Sequence, residues 1–280
     1  MGVSGIKDLF GLIVGIVYGI AHVVPGVSSG TFLVVFGCYD LVCEAFALKL
    51  DVIKKNLMFL IYFAVGTVGG LAGFVFVITY LLAGFEIQTN LFFMGLILGG
   101  VPLIVKIATK EEKFKASCVL PFILGLALVV SLFALEKFNA FESGAAQAVG
   151  YIYYIKIALF AFVAAVAMVM PGISGAFVLV AFGVYNVFIE ALKSLDFSIL
   201  IPAVIGIAIG IVAGARLILF LLKRYKLIVY SVIIGMVIGS AAPLFPGGLG
   251  LNAATFAGVL CLALGGAISL ILGKRDSAAK

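Results

Sequence analysis

Pro25-Gly26-Val27-Ser28 and Pro171-Gly172-Ile173-Ser174 are the residues whose types and spacing suit chemistry, and they stand 146 positions apart. Proline ends a helix, glycine permits a turn, and the serine takes the N-cap position of the helix that follows. A helix start leaves free amides and a partial positive charge, which suits an anion. Ser28, Ser29, Thr31 and Ser174 add hydroxyl donors beside Gly30 and Gly175. These residues outline a candidate anion site. The plainer alternative is a tight turn between two spans at a membrane surface. The match runs on through Leu33, Val34, Phe36, Gly37, Tyr39, Glu44 and Ala45, which meet Leu179, Val180, Phe182, Gly183, Tyr185, Glu190 and Ala191. That makes ten identities in the twenty-one positions from 25 to 45. Aliphatic matches are cheap in so apolar a chain; glycine, tyrosine and glutamate in step are not.

Other polar residues lie close to the repeat. His22, the chain's one histidine, sits three residues before Pro25. It suits proton transfer or donation to a phosphate, and equally a satisfied polar group at a helix end. Asp40 and Glu44 are four apart on one helix face, and Asn186 and Glu190 copy the spacing. They suit proton coupling, or a face turned to headgroup water near Lys49 and Lys193. Arg216 lies in an apolar run seven residues before Lys223. So deep a charge suits a substrate ligand, though seven residues is about 10 Å of helix, within reach of a snorkelling arginine. Its counterpart at a shift of 140 is Phe76, so the halves differ chemically. Cys38, Cys43, Cys118 and Cys261 lack metal-ligand spacing and read as small hydrophobes. No metal and no cofactor is expected.

The elements that must position these residues follow from composition. Hydrophobic residues make up 65% of 280 and charged ones 11%, more apolar surface than a soluble domain can hide. About 20 apolar residues cross a bilayer as a helix. The fold class expected is all-α integral membrane, a single membrane domain over residues 1–280. Ten apolar segments are legible: 9–24, 29–48, 57–84, 91–108, 117–136, 153–170, 175–194, 197–222, 227–242 and 252–273. The recurrence of the first inside the chain argues against a cleaved signal. Gly66, Gly70, Gly95 and Gly99 fall on Gly206, Gly210, Gly235 and Gly239 at a shift of 140, with the fifth and tenth segments the weakest counterparts. Glycines such as Gly66, Gly69, Gly70 and Gly73 suit close helix contacts that can slide. Repeat 1 is read as residues 1–136 and repeat 2 as 151–280, joined by an external linker at 137–150.

Five segments, or three if the first two form a re-entrant hairpin, is an odd number, so the expected topology is inverted. With the N-terminus inside, the inner face collects fourteen basic residues: Lys7, Lys49, Lys54, Lys55, Lys106, Lys110, Lys113, Lys115, Lys223, Arg224, Lys226, Lys274, Arg275 and Lys280. The outer face receives Lys137, Lys156 and Lys193. The positive-inside rule then gives cytoplasmic termini in the plasma membrane. It also accounts for the net charge of +6 without a nucleic-acid partner. Inverted symmetry would bring two helix breaks together at mid-membrane, as in many secondary transporters.

The pattern Ala21-His22-Val23-Val24-Pro25-Gly26-Val27-Ser28-Ser29-Gly30-Thr31, then Gly37-Cys38-Tyr39, with Met170-Pro171-Gly172-Ile173-Ser174-Gly175 and Gly183-Val184-Tyr185, resembles the polyprenyl-phosphate transporters formerly filed as domain of unknown function 368. Arg216-Leu217 to Lys223-Arg224-Tyr225 is similar too. The resemblance implies movement of undecaprenyl or another polyprenyl phosphate from the outer to the inner leaflet, recycling the carrier for cell-envelope synthesis. It implies a bilayer-embedded protein that is not an enzyme, compatible with proton or ion coupling and with a homo-oligomer. The family usually has Asp where this chain has His22, and Gly in place of Ser29. Two other readings stand. One is a membrane polyprenyl diphosphate phosphatase, disfavoured because Ser29 and Gly175 stand where those enzymes carry an arginine and because no carboxylate cluster accompanies them. The other is a transporter of a small soluble anion.

Overall fold

Long apolar runs without helix breakers fold as long helices, and the computed structural model is all-helical among its described residues, 3–23, 28–110, 112–137, 151–246, 250 and 252–278. In chain order the helices are α1 (Val3–Val23), α2 (Ser29–Val35), α3 (Tyr39–Phe46), α4 (Leu50–Lys55), α5 (Leu57–Gly84), α6 (Glu86–Ala108), α7 (Val119–Lys137), α8 (Tyr151–Val169), α9 (Gly175–Ala181), α10 (Tyr185–Ser194), α11 (Phe197–Arg224), α12 (Lys226–Gly239) and α13 (Ala253–Ala278). Seven stretches among the described residues are long and apolar enough to cross a bilayer: five within α5, α6, α8, α11 and α13, one, Ala116–Ala134, that includes the turn before α7, and one, Lys226–Leu244, that includes the turn after α12; Leu9–His22 of α1 is a shorter apolar helix. Val68, Phe76, Phe256 and Leu260 are exposed. In water such a surface would aggregate; in lipid it is the solvated face. The protein is a multi-pass integral membrane protein.

The second and seventh apolar segments are not continuous helices. Gly37, at φ 71°, and Gly183, at φ 67°, interrupt them. In both, the glycine amide and the one after it bond back three and five residues: Gly37 to Val34 and Cys38 to Leu33, Gly183 to Val180 and Val184 to Leu179. This is the glycine-terminated helix end, in which the left-handed residue satisfies two orphan carbonyls. A new helix, α3 or α10, then begins at the repeated tyrosine. Every residue of α2 is buried, and Phe32, Val35 and Phe36 lie at the centre of the largest apolar cluster. α2 packs on α6 where a Cβ at Gly100 would lie 2.3 Å from Val35 Cγ1.

The long helices pack in pairs: α1 with α5, α8 with α11, α6 with α13 and α7 with α12, while α6 also touches α12. Each close pair runs parallel. Gly11, Gly15 and Gly19 of α1 meet Phe59, Phe63 and Thr67 of α5, and Gly206 and Gly210 of α11 meet Ala158 and Phe162 of α8. A Cβ at Gly66 would stand 2.4 Å from the Leu12 carbonyl oxygen, and one at Gly206 would stand 2.1 Å from that of Ala158. Leu12 and Ala158 are themselves 146 apart. The same correspondence joins Gly95 on Leu262 to Gly235 on Phe122, both at 2.1 Å, and Gly125 on Val232 to Gly265 on Phe92, both at 2.3 Å. The fifth and tenth segments, weakest in sequence, therefore make equivalent contacts. Gly69 and Gly73 do not join helices: a Cβ at either would meet nothing within 4 Å. They lie on the exposed side of α5, whereas Gly66 and Gly70 are buried.

Candidate functional site

The two serine motifs meet. Ser28 and Ser174, both in extended conformation, precede α2 and α9 as the sequence predicts, yet neither side chain caps its helix. The Gly172 amide donates to Thr31 Oγ1 at 2.9 Å, so the first copy reaches directly into the turn of the second. Tyr39 donates its hydroxyl to the Val169 carbonyl at 2.9 Å, satisfying the end of α8. Gly30 faces the same turn, where a Cβ would sit 3.4 Å from the Met168 carbonyl oxygen. Gly172, at φ 87°, has no alternative residue: a Cβ there would lie 2.8 Å from both the Cβ and the carbonyl oxygen of Met236. Pro171 is buried, and Ser174 and Gly175 are half-buried. Pro25 and Gly26 lie outside the described residues, as does the linker from 138 to 150.

Polar groups gather around this junction in an otherwise apolar core. Thr31 is fully buried, and Ser28 and Ser29 nearly so. Ser28 Oγ is buried without a hydrogen-bond partner, a cost of about 1–3 kcal/mol that an apolar residue would avoid. Ser29 Oγ is 3.3 Å from His22 Nε2, and His22 Nδ1 is 2.8 Å from the Tyr18 carbonyl. A carbonyl only accepts, so Nδ1 carries the proton. In the neutral ring Nε2 then accepts from Ser29; in the charged ring it would donate to it. His22 is thus tied on both sides, with the Tyr18 ring edge-on at 4.7 Å between centroids.

Beside the junction, on the Tyr18 and Tyr39 side, the packing is tight. The cavity between Tyr18, Gly30, Tyr39, Cys43 and Met168 measures about 10 Å³, room for one water at most. A helix of seven residues, the length of both α2 and α9, also carries only a small part of a full macrodipole. The Gly172 amide is already engaged by Thr31. At this junction Thr31 of α2 is packed against the Gly172 turn that precedes α9.

The remaining predicted residues lie elsewhere. Arg216 Nε donates to the Ala47 carbonyl, the C-cap of α3, at 3.4 Å. It complements the negative end of α3. Glu44 is ion-paired with Lys49 at 2.8 Å on a partly exposed face. Asp40 is exposed and receives the Tyr230 hydroxyl at 3.4 Å, and Glu190 is exposed. None of these carboxylates lines the junction cavity. Sequence reasoning gave Tyr39 no role in the site. Its place in the repeat was the available signal, but its copy Tyr185 is exposed, so recurrence alone did not mark the bridging role.

Short interrupted helices meeting through polar contacts in an apolar core, flanked by lipid-facing spans, define the class: a polytopic, all-helical integral membrane protein. The sequence profile of the VCA0040-like family, described as undecaprenyl phosphate translocase-like, matches residues 16–256, and the chain belongs to that family. It is 28% identical over 271 residues to a polyprenyl-phosphate transporter of Staphylococcus aureus, covering 93% of this chain and 94% of that one. It is 28% identical over 246 residues to a polyprenyl-phosphate transporter of Vibrio cholerae, covering 83% and 76%. No solved structure matches the chain.

Proposed function

We propose that this protein moves polyprenyl phosphate from the outer to the inner leaflet of the plasma membrane, returning the carrier lipid to cytoplasmic synthesis of envelope glycans. The observation that carries the reading is the junction itself, where the Gly172 amide meets Thr31 Oγ1 beside the unpartnered, buried Ser28 hydroxyl. A polar seam of this kind has no use in a static apolar core, and separating the two turns would expose Ser28, Thr31, Ser174 and the Gly172 amide to a phosphate. The relatives named polyprenyl-phosphate transporters supply the substrate.

Two halves arranged as an inverted repeat belong to the same reading. Parallel pairing of α1 with α5, and of α8 with α11, requires the broken segments between them to return the chain across the same depth. The glycine contacts recur at shifts of 140 and 146, as two copies of one unit would require. Opening one side of such a unit while its copy closes gives alternating access. His22 and Ser29, whose hydrogen bond reverses on protonation, supply a route for proton coupling.

The test is a leaflet assay in proteoliposomes. Fluorescent polyprenyl phosphate in the outer leaflet should become protected from an impermeant quencher, with no phosphate released. Ser28→Ala and Ser174→Ala should slow protection while leaving helicity unchanged. Release of inorganic phosphate, or wild-type rates in both variants, refutes the proposal.

A further inference from the structure

We infer that the basic pocket beside the α11–α12 turn, together with the apolar groove that opens from it, holds a lipid phosphate monoester: the headgroup among the cations, the first part of the hydrocarbon chain in the groove. This rests on the transport reading above and assigns it a binding site at the face opposite the α5–α6 turn.

The pocket measures about 570 Å³ and is lined by Lys115, Lys223, Arg224 and Lys226, with Glu112 the one carboxylate among the described residues. Glu112 is held by Lys115 at 3.1 Å, both largely exposed. Two separate stretches build it, Ala108–Cys118 and Leu222–Ile228, so it is a concavity between elements and not one charged loop. Tyr225 and Ile228 line it and also line a second cavity of about 400 Å³. That second cavity is walled by apolar side chains of α11 and α12 and ends at Met170 and Pro171, beside the junction. Its size falls within the range of ligand pockets. With only apolar lining and a Tyr at its mouth, it suits hydrocarbon better than water. Arg224 fixes that mouth: its Nε donates to Tyr225 Oη at 3.1 Å, and its guanidinium lies 5.6 Å from the ring centroid.

The other half of the molecule provides an internal control. The α5–α6 turn has the same backbone. Phe85 sits at φ −137°, ψ 43° and Tyr225 at φ −134°, ψ 45°, and both amides bond four residues back at 2.7 Å. Yet Ala83, Gly84 and Glu86 stand where the second half has Lys223, Arg224 and Lys226. The turn therefore does not need the cations. Positive-inside bias explains their sign but not their concave arrangement at the mouth of an apolar groove. A phosphate monoester, with up to two charges and one chain, matches both parts. A phospholipid diester has one charge and two chains.

The experiment uses the full chain in phosphatidylcholine nanodiscs, with undecaprenyl phosphate binding read by native mass spectrometry. Neutralising three cations together, in Lys223→Gln/Arg224→Gln/Lys226→Gln, should weaken binding about 100-fold, from roughly 1 kcal/mol per basic residue near a membrane surface. Binding of uncharged undecaprenol should not change. Ile228→Trp, which narrows the neck, should weaken undecaprenyl phosphate as well. A diazirine on the first isoprene unit should crosslink the wild-type protein at Ile228, Val232 or Met236, a readout independent of variant folding. Wild-type affinity in the triple variant, or crosslinks confined to α2 and α9, overturns the pocket while leaving the transport reading intact. Displacement by inorganic phosphate or phosphatidylglycerol as effective as by the lipid itself overturns the assignment to a lipid monoester. Absence of undecaprenyl phosphate binding and of leaflet transfer in the wild type overturns both readings.

Discussion

Thr31→Val tests whether the junction between the two halves is a closed gate. The substitution keeps the volume and removes the one atom that accepts from the Gly172 amide. Thr31 is fully buried, so no water replaces the hydroxyl and the amide is left unsatisfied, at a cost of about 1–3 kcal/mol. If the closed state alone makes this bond, the closed–open equilibrium shifts towards open by about 5- to 150-fold. Cys43 reports the shift. It lines the junction cavity and is 1% exposed, so a membrane-permeant maleimide should reach it only when the turns part. In a background with Cys38, Cys118 and Cys261 replaced by alanine, the labelling rate of Cys43 should rise by that factor in Thr31→Val and return towards wild type in Thr31→Ser. The melting temperature in detergent should fall in the first and recover in the second. Labelling and melting unchanged in Thr31→Val would show that the bond contributes nothing to closure, and the gate would have to be sought elsewhere.

Further outcomes follow from the same geometry. Gly235→Ala should destabilise by about 1–3 kcal/mol or more, because the new methyl stands 2.1 Å from the Phe122 carbonyl oxygen and must push α7 and α12 apart; Gly69→Ala, facing open space, should be neutral or slightly stabilising, both read by thermal unfolding in detergent. Tyr39→Phe should cost about 1 kcal/mol through loss of the Val169 bond, whereas Tyr185→Phe on its exposed copy should not register in the same assay. Asp196 caps α11 and accepts from the side chain and then the amide of Ser198, which holds its carboxyl below the ordinary value of 3.8. A depressed folded pKa means the cap's contribution is present above the unfolded value and lost as pH falls through the folded one. Protection of the Ser198 amide in hydrogen exchange should therefore drop on acidification below about pH 4, and Asp196→Asn should remove the pH dependence.

Membrane class, the paired motifs and the glycine contacts were legible in the residue order because each depends on local chemistry. Apolar length sets a span, proline and glycine set a break, and a glycine facing another helix recurs wherever the same contact recurs. Gly66 with Gly206 and Gly95 with Gly235 could be matched by eye and prove to touch equivalent partners. Gly125 and Gly265 do the same, yet their segments are too uniformly aliphatic for alignment to find them. Periodicity also could not separate Gly69 from Gly66, since one exposed face and one packed face of α5 are equally apolar.

Residue order by itself decided that this chain enters a bilayer and that a Pro-Gly-x-Ser motif occurs in it twice. Only the tertiary structure decided which groups meet. Thr31 reaches Gly172 across 141 residues, and Tyr39 reaches Val169 across 130. Arg216 reaches the end of α3 at Ala47 across 169 residues. The reason is physical: a local pattern fixes where the backbone turns, but a hydrogen bond between distant side chains depends on how whole helices are laid against one another.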